Sequence, residues 1–148
     1  MKSFKIIFAT AVSTLIGSQA QASYGVYAIS SNGVFSLATK AGSLNEAINS
    51  AIAGCQRNNG WKCRAPSVSG SYLYAFSGMY MSVARSDTSN RGTQIMTVGY
   101  SYDGQDARNV AWEKCKERAR GHFHWVSKGR TRTEPLASTC RVIYHVKN

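Results

Sequence analysis

The residue types best suited to chemistry cluster in one stretch of the chain. His122-Phe123-His124 sets two imidazoles two positions apart, and on a strand, where side chains alternate, both point to one side. Such a pair can bind copper or zinc, or work as an acid and a base. His145 is the only other histidine and no carboxylate stands close in sequence, so no metal and no cofactor are expected. Lys114, Lys116, Arg118 and Arg120 precede the pair and Lys128, Arg130 and Arg132 follow it, against Glu113 and Glu117. Interleaved with Phe123 and Trp125, these cations are what a polyanion site needs, since charge meets phosphate or sulfate while rings offer stacking surfaces. The expected binding surface is therefore Arg118, Arg120, His122, His124, Trp125, Lys128, Arg130 and Arg132.

Catalytic sets are harder to assemble. A nuclease would use the histidines and a lysine to move protons around a phosphorane, which requires a geometry that spacing alone does not supply. Gly99-Tyr100-Ser101-Tyr102 begins like a nucleophile elbow, but Asp103 stands where the closing glycine belongs. Of the seven acids, five (Glu46, Asp103, Asp106, Glu113, Glu117) fall on predicted helices or their caps, where helix electrostatics already accounts for them. No catalytic residue is assigned.

The 148 residues carry 18 Lys+Arg against 7 Asp+Glu, a formal charge of +11, with 43% hydrophobic residues. That is too apolar for a disordered basic tail, and no run is long enough for a lasting membrane span. Residues 1–22 read as a secretory signal: Lys2 and Lys5 form the charged start, Ile6 to Ile16 the apolar run, and Ala20-Gln21-Ala22 the small-x-small cleavage site. Cleavage leaves Ser23 first and, by removing those two lysines and no acid, lowers the charge from +11 to +9. The product is expected in a periplasm or outside the cell, where thiols oxidise. The four cysteines allow three pairings. Cys55–Cys63 and Cys115–Cys140 are favoured because each joins a predicted helix end to the segment that follows, and Cys-x7-Cys is not a zinc-finger spacing.

The elements that must position these residues are duplicated. Shifted by sixty positions, Ala47-x3-Ala51-x3-Cys55 lies over Ala107-x3-Ala111-x3-Cys115, Ser43 over Asp103, Glu46 over Asp106 and Asn49 over Asn109. In both copies a side-chain oxygen at Ser43 or Asp103 caps free N–H groups, and an acid follows in the first turn. The four-residue recurrence puts a narrow stripe of small residues on one helix face, where a helix can approach a sheet closely. Asn58-Asn59-Gly60 and Gly121 end the two helices. Alternating segments precede each helix: Tyr24 to Ser30 and Val34 to Thr39 around Ser31-Asn32-Gly33, and Met79 to Arg85 and Thr93 to Tyr100 around Asp87 to Gly92. Further strands are predicted at Tyr72 to Ser77 and Thr139 to Val146, with a hairpin of His122 to Ser127 and Arg130 to Thr133. Each half reads as hairpin, helix, disulfide, strand, over about 23–77 and 78–148 of a single domain at 23–148. The expected fold is α+β, a mainly antiparallel, disulfide-stapled sheet with both helices on one face. Tyr72, Tyr74, Tyr80, Tyr100 and Tyr102 fall on alternating positions, so the uncovered face is expected to present some of them as a contact surface.

The opening Tyr24-Gly25-Val26-Tyr27-Ala28-Ile29-Ser30, followed by Ala47, Ala51, Cys55 and Cys63, resembles a family of small secreted bacterial proteins, the domain of unknown function 4189. The likeness covers residues 23–65 directly and 79–140 through the internal repeat. Members typically place another cysteine shortly before the next Ala-rich strand, where this chain has Tyr72-Leu73-Tyr74-Ala75. The resemblance implies export and a binding role and hands over no catalytic residue. The expected activity is non-catalytic binding of an acidic protein partner, in an inhibitor or immunity-like role. The alternative is a secreted effector or nuclease-like protein acting on nucleic acid, or binding to anionic envelope glycans.

Overall fold

The computed structural model describes residues 21–128 and 130–148, with side chains described for all of these except 127, 128 and 130–132. The segment 1–20 of the expected signal lies outside the described residues. From Ser23 onward the chain alternates short strands with two helices. The first unit contains β1 (Tyr24–Ile29), β2 (Phe35–Ala41), α1 (Leu44–Arg57), β3 (Ser67–Val68), β4 (Ser71–Tyr72) and β5 (Ala75–Phe76). The second contains β6 (Tyr80–Thr88), β7 (Gln94–Ser101), α2 (Gly104–Arg118), β8 (Phe123–Lys128), β9 (Arg130–Pro135), a short 3-10 turn (Leu136–Thr139) and β10 (Arg141–Lys147).

The two three-stranded sheets have matching strand order. In the first unit the sheet order is β2-β1-β5, and in the second it is β7-β6-β10, all pairs antiparallel. In each, the hairpin comes first, the helix follows, and the last strand returns beside the first. The caps form as their residue types dictate: Ser43 Oγ accepts from Glu46 N at 3.2 Å while Glu46 Oε2 accepts from Gly42 N at 2.9 Å, and Asp103 Oδ1 accepts from Asp106 N at 2.8 Å. Both disulfides are those favoured by position, Cys55–Cys63 and Cys115–Cys140, and no cysteine is free among the described residues.

The small-residue stripes lie against the sheets. Ala47, Ala51 and Cys55 are fully buried on Val26, Ala28 and Ala38, and Ala111 and Cys115 are buried with Ala84, Leu136 and Cys140. On the second unit the approach is so close that a Cβ on Gly99 would strike the Ala107 carbonyl and stand 2.6 Å from Ala111 N. Thr97 Oγ1 donates to the Ala111 carbonyl at 2.6 Å, so this helix is also hydrogen-bonded to its sheet.

Three expectations require correction. The helices do not share one face of one sheet. The alternation leaves large apolar residues on the far face of both sheets, and those faces pack on each other. Tyr27, with Ile29, Phe35 and Leu37, meets Val83, Met96, Val98 and Ile143, so the layers run helix, sheet, sheet, helix. The open tyrosine face is therefore absent. Tyr100 is half-buried with its hydroxyl donating to the Leu73 carbonyl at 3.4 Å, Tyr74 packs against Tyr24 and Phe76, and only Tyr72 and Tyr102 of that set are strongly exposed. The predicted strand at Tyr72 to Ser77 is also split. Ser69 and Gly70, both at positive φ, turn Ser71–Tyr72 back onto Ser67–Val68, whereas Ala75–Phe76 joins the edge of β1.

Gly99 gives the direct test of this close contact. Gly99→Ala is expected to lower stability by about 2 kcal/mol or more, because the new methyl meets helix backbone, which cannot rotate away. The readout is the urea midpoint at unchanged m-value.

Candidate functional site

Arg118 closes the last turn of α2 and Arg120 follows the Ala119 cap, both exposed. Gly121 (φ 76°) then turns the chain, His122 N donates to the Ala119 carbonyl, and the His122 carbonyl accepts from Leu136 N. From this anchored root β8 and β9 form a two-stranded sheet of their own, with Trp125 opposite Thr133, Val126 opposite Arg132 and Lys128 opposite Arg130. The side chains of Lys128, Arg130 and Arg132 lie outside those described. Phe123 and Trp125 stand 45% and 60% exposed on this hairpin. The turn between β6 and β7 is tied to its root, because Asn90 N donates to the Phe123 carbonyl at 2.9 Å. That contact brings Arg91 to the rim of a hollow of about 180 Å³ shared with His122 and Phe123. Arg91 was not legible as a member of the site, being thirty residues upstream on another hairpin.

Among the described residues no group of three His, Cys, Asp or Glu side chains is placed to hold an ion. His124 Nδ1 is buried without a hydrogen-bond partner, and the register sets Glu134 opposite His124, a carboxylate that linear spacing hid. Ser101 is a capping residue: its Oγ donates to Asp106 at 2.8 Å and accepts from Asp103 N. His145 shares a 2.6 Å hydrogen bond from Nδ1 to Ser82 Oγ and stacks on Tyr80 at 5.2 Å. Ser82 is 0% exposed, so no substrate reaches its hydroxyl. Desolvation, then the charge of Arg108, holds the His145 pKa below its ordinary value.

A second concavity opens where the two sheets meet. Its volume is about 230 Å³, and its walls are Tyr27, Ile29, Met96 and Val98 from the facing strands together with Pro66, Val68 and Leu73 from the segment around β3 and β4. Lys114, Glu117 and Arg118 of α2 stand at its rim. An adjoining hollow of about 380 Å³ shares Ile29, Pro66, Val68, Leu73 and Arg118 with it and adds Arg64. Arg64 is held there by a two-bond bridge to Ile29, at 2.8 and 2.9 Å, directly after the Cys55–Cys63 staple. Tyr27 Oη is buried with no partner. Of these residues only Arg118 belongs to the surface expected from sequence. The others come from five separate segments and share no motif.

The chain is built of two hairpin-helix-strand units, each closed by one disulfide and packed sheet to sheet. The chain belongs to the domain of unknown function 4189 family, whose model matches residues 24–145. The match takes in both units, well beyond the residues 23–65 that carry the direct likeness. No curated protein and no solved structure matches the chain. No helix among the described residues is long and apolar enough to cross a membrane.

The depressed His145 pKa fixes a sign for pH dependence. As pH falls through the ordinary histidine value of about 6.5, the unfolded chain takes up this proton before the folded one, so folding weakens. The difference in urea-unfolding stability between wild type and His145→Gln is expected to shift in favour of the variant on acidification from pH about 7.5 to about 5.5.

Proposed function

We propose that this protein is an exported binding protein without catalytic activity, and that its partner is an acidic protein met through the β8–β9 hairpin root. The observation that carries the reading is the exposed pair Phe123 and Trp125, flanked by Arg91 and Arg120, which make no ion pair among the described residues. Aromatic rings and arginines combine large buried contact area with directional charge, and such residues dominate the energetics of protein interfaces. The excess of cations over acids adds steering toward an acidic surface. Export is supported by the composition of residues 1–22 and by two disulfides, which persist in oxidising compartments.

The same cations and rings would serve nucleic acid or an anionic glycan, and salt separates the cases. Binding to a linear polyanion falls steeply with ionic strength through counterion release, whereas a packed protein interface loses mainly association rate.

The test is affinity capture by the purified, oxidised protein from envelope and medium fractions of the producing cell, washed at low and then high salt. One discrete acidic protein is expected to survive the high-salt wash on wild type and to be lost from Trp125→Ala and Arg120→Glu. Recovery of only nucleic acid or glycan, shed as salt rises, overturns the proposal. N-terminal sequencing of the exported product is expected to begin at Ser23, and a product retaining residues 1–22 would remove the argument for export by cleavage.

A further inference from the structure

The cleft between the sheets is separate from the hairpin and has a different chemistry. Its inner walls are aliphatic: Ile29, Val68, Leu73, Met96 and Val98, with Pro66. At about 30 Å³ of liquid volume per water, 230 Å³ is the space of roughly seven or eight waters, which suits a body of eight to ten heavy atoms. Two arginines from unrelated segments border this space. The Arg64 main chain is bridged to Ile29 and its residue lines the outer hollow, while Arg118 lines both the inner cavity and the outer hollow. Neither guanidinium has a hydrogen bond or ion pair among the described residues, while Lys114 Nζ is turned to the Val98 carbonyl at 3.5 Å. Glu117 on the same rim limits how much negative charge the mouth accepts, which favours a single small head group over a phosphate. Burial keeps the Tyr27 hydroxyl protonated, so the floor adds no charge against an acid.

We infer that this cleft is a binding site for a small amphiphilic carboxylate, a medium-chain acyl acid whose tail lies against Ile29, Leu73, Met96 and Val98 and whose head group sits between Arg64 and Arg118. The tail exchanges water for an apolar wall, which supplies the favourable free energy. The planar guanidinium forks supply the charge-assisted hydrogen bonds that orient it. Arg118 comes from the end of α2 and Arg64 from the segment that follows the Cys55–Cys63 staple, so neither half of the repeat contains the site alone.

Calorimetric titration of the oxidised protein with octanoate is the test, with octanol as the uncharged comparison. Octanoate is expected to saturate one site with Kd on the order of 0.1–1 mM, and octanol to bind about tenfold more weakly. Arg64→Gln and Arg118→Gln, both at exposed positions that the core does not need, are each expected to weaken octanoate about tenfold. Leu73→Trp, which fills the cleft, is expected to abolish binding. Arg141→Gln, which removes a cation remote from the cleft, and Trp125→Ala on the hairpin are expected to leave it unchanged. The inference is overturned if octanoate shows no saturable binding, or if octanol binds equally well and neither arginine variant changes the octanoate affinity. Because Trp125→Ala separates the surfaces, failure of this inference and failure of the hairpin reading give different results.

Discussion

Everything else in this structure depends on how closely each helix can lie on its sheet. A stripe of alanine and cysteine at four-residue intervals removes side-chain bulk from the contact, and on the second unit Gly99 removes it from the sheet as well. At that distance dispersion contacts reach backbone atoms, and the Thr97 hydroxyl can donate to a helix carbonyl. The terminal cysteine of each stripe is buried at the same surface, which places its sulfur beside the segment leaving the helix. The disulfides therefore extend the small-residue contact and tie the next segment to it.

A thin helix-sheet layer buries little apolar area, and a chain of this size needs more. The remaining burial comes from the opposite faces of the sheets. Tyr27, Phe35 and Leu37 on one and Val83, Met96 and Val98 on the other cover each other, so the two units hold together through the bulky faces that their helices do not use. Asn148 reinforces the junction: its side chain accepts from Lys40 N at 2.8 Å and donates to the Ser23 and Ala75 carbonyls, joining the end of the second unit to β2, β5 and the residue before β1. Beside that junction, Tyr27, Ile29, Met96 and Val98 also line the cleft.

The basic surface and the cleft represent two consequences of the same charge excess. On the hairpin, cations lie beside exposed rings, which suits the large acidic partner proposed above. At the cleft, Arg118 borders an aliphatic hollow and Arg64 the one adjoining it, which suits the small ligand inferred above. Arg118 was assigned by its neighbours in sequence to the first of these and stands, in the fold, at the second.

The sequence by itself determined the local and periodic features: both helices with their caps at Ser43 and Asp103, the hairpins that precede them and the sixty-residue repeat, and among three possible cysteine pairings it favoured the one that forms. These are legible because caps, turns and alternation act over a few residues, and because a disulfide between a helix end and the next segment has few geometric rivals. Only the tertiary structure decided that the sheets are two and face each other, since alternation shows which residues share a face of a strand but not what each face meets. The same limit hid the cleft. Tyr27, Arg64, Leu73, Met96 and Arg118 are brought together by packing between units, and no spacing along the chain encodes a contact between residues that far apart.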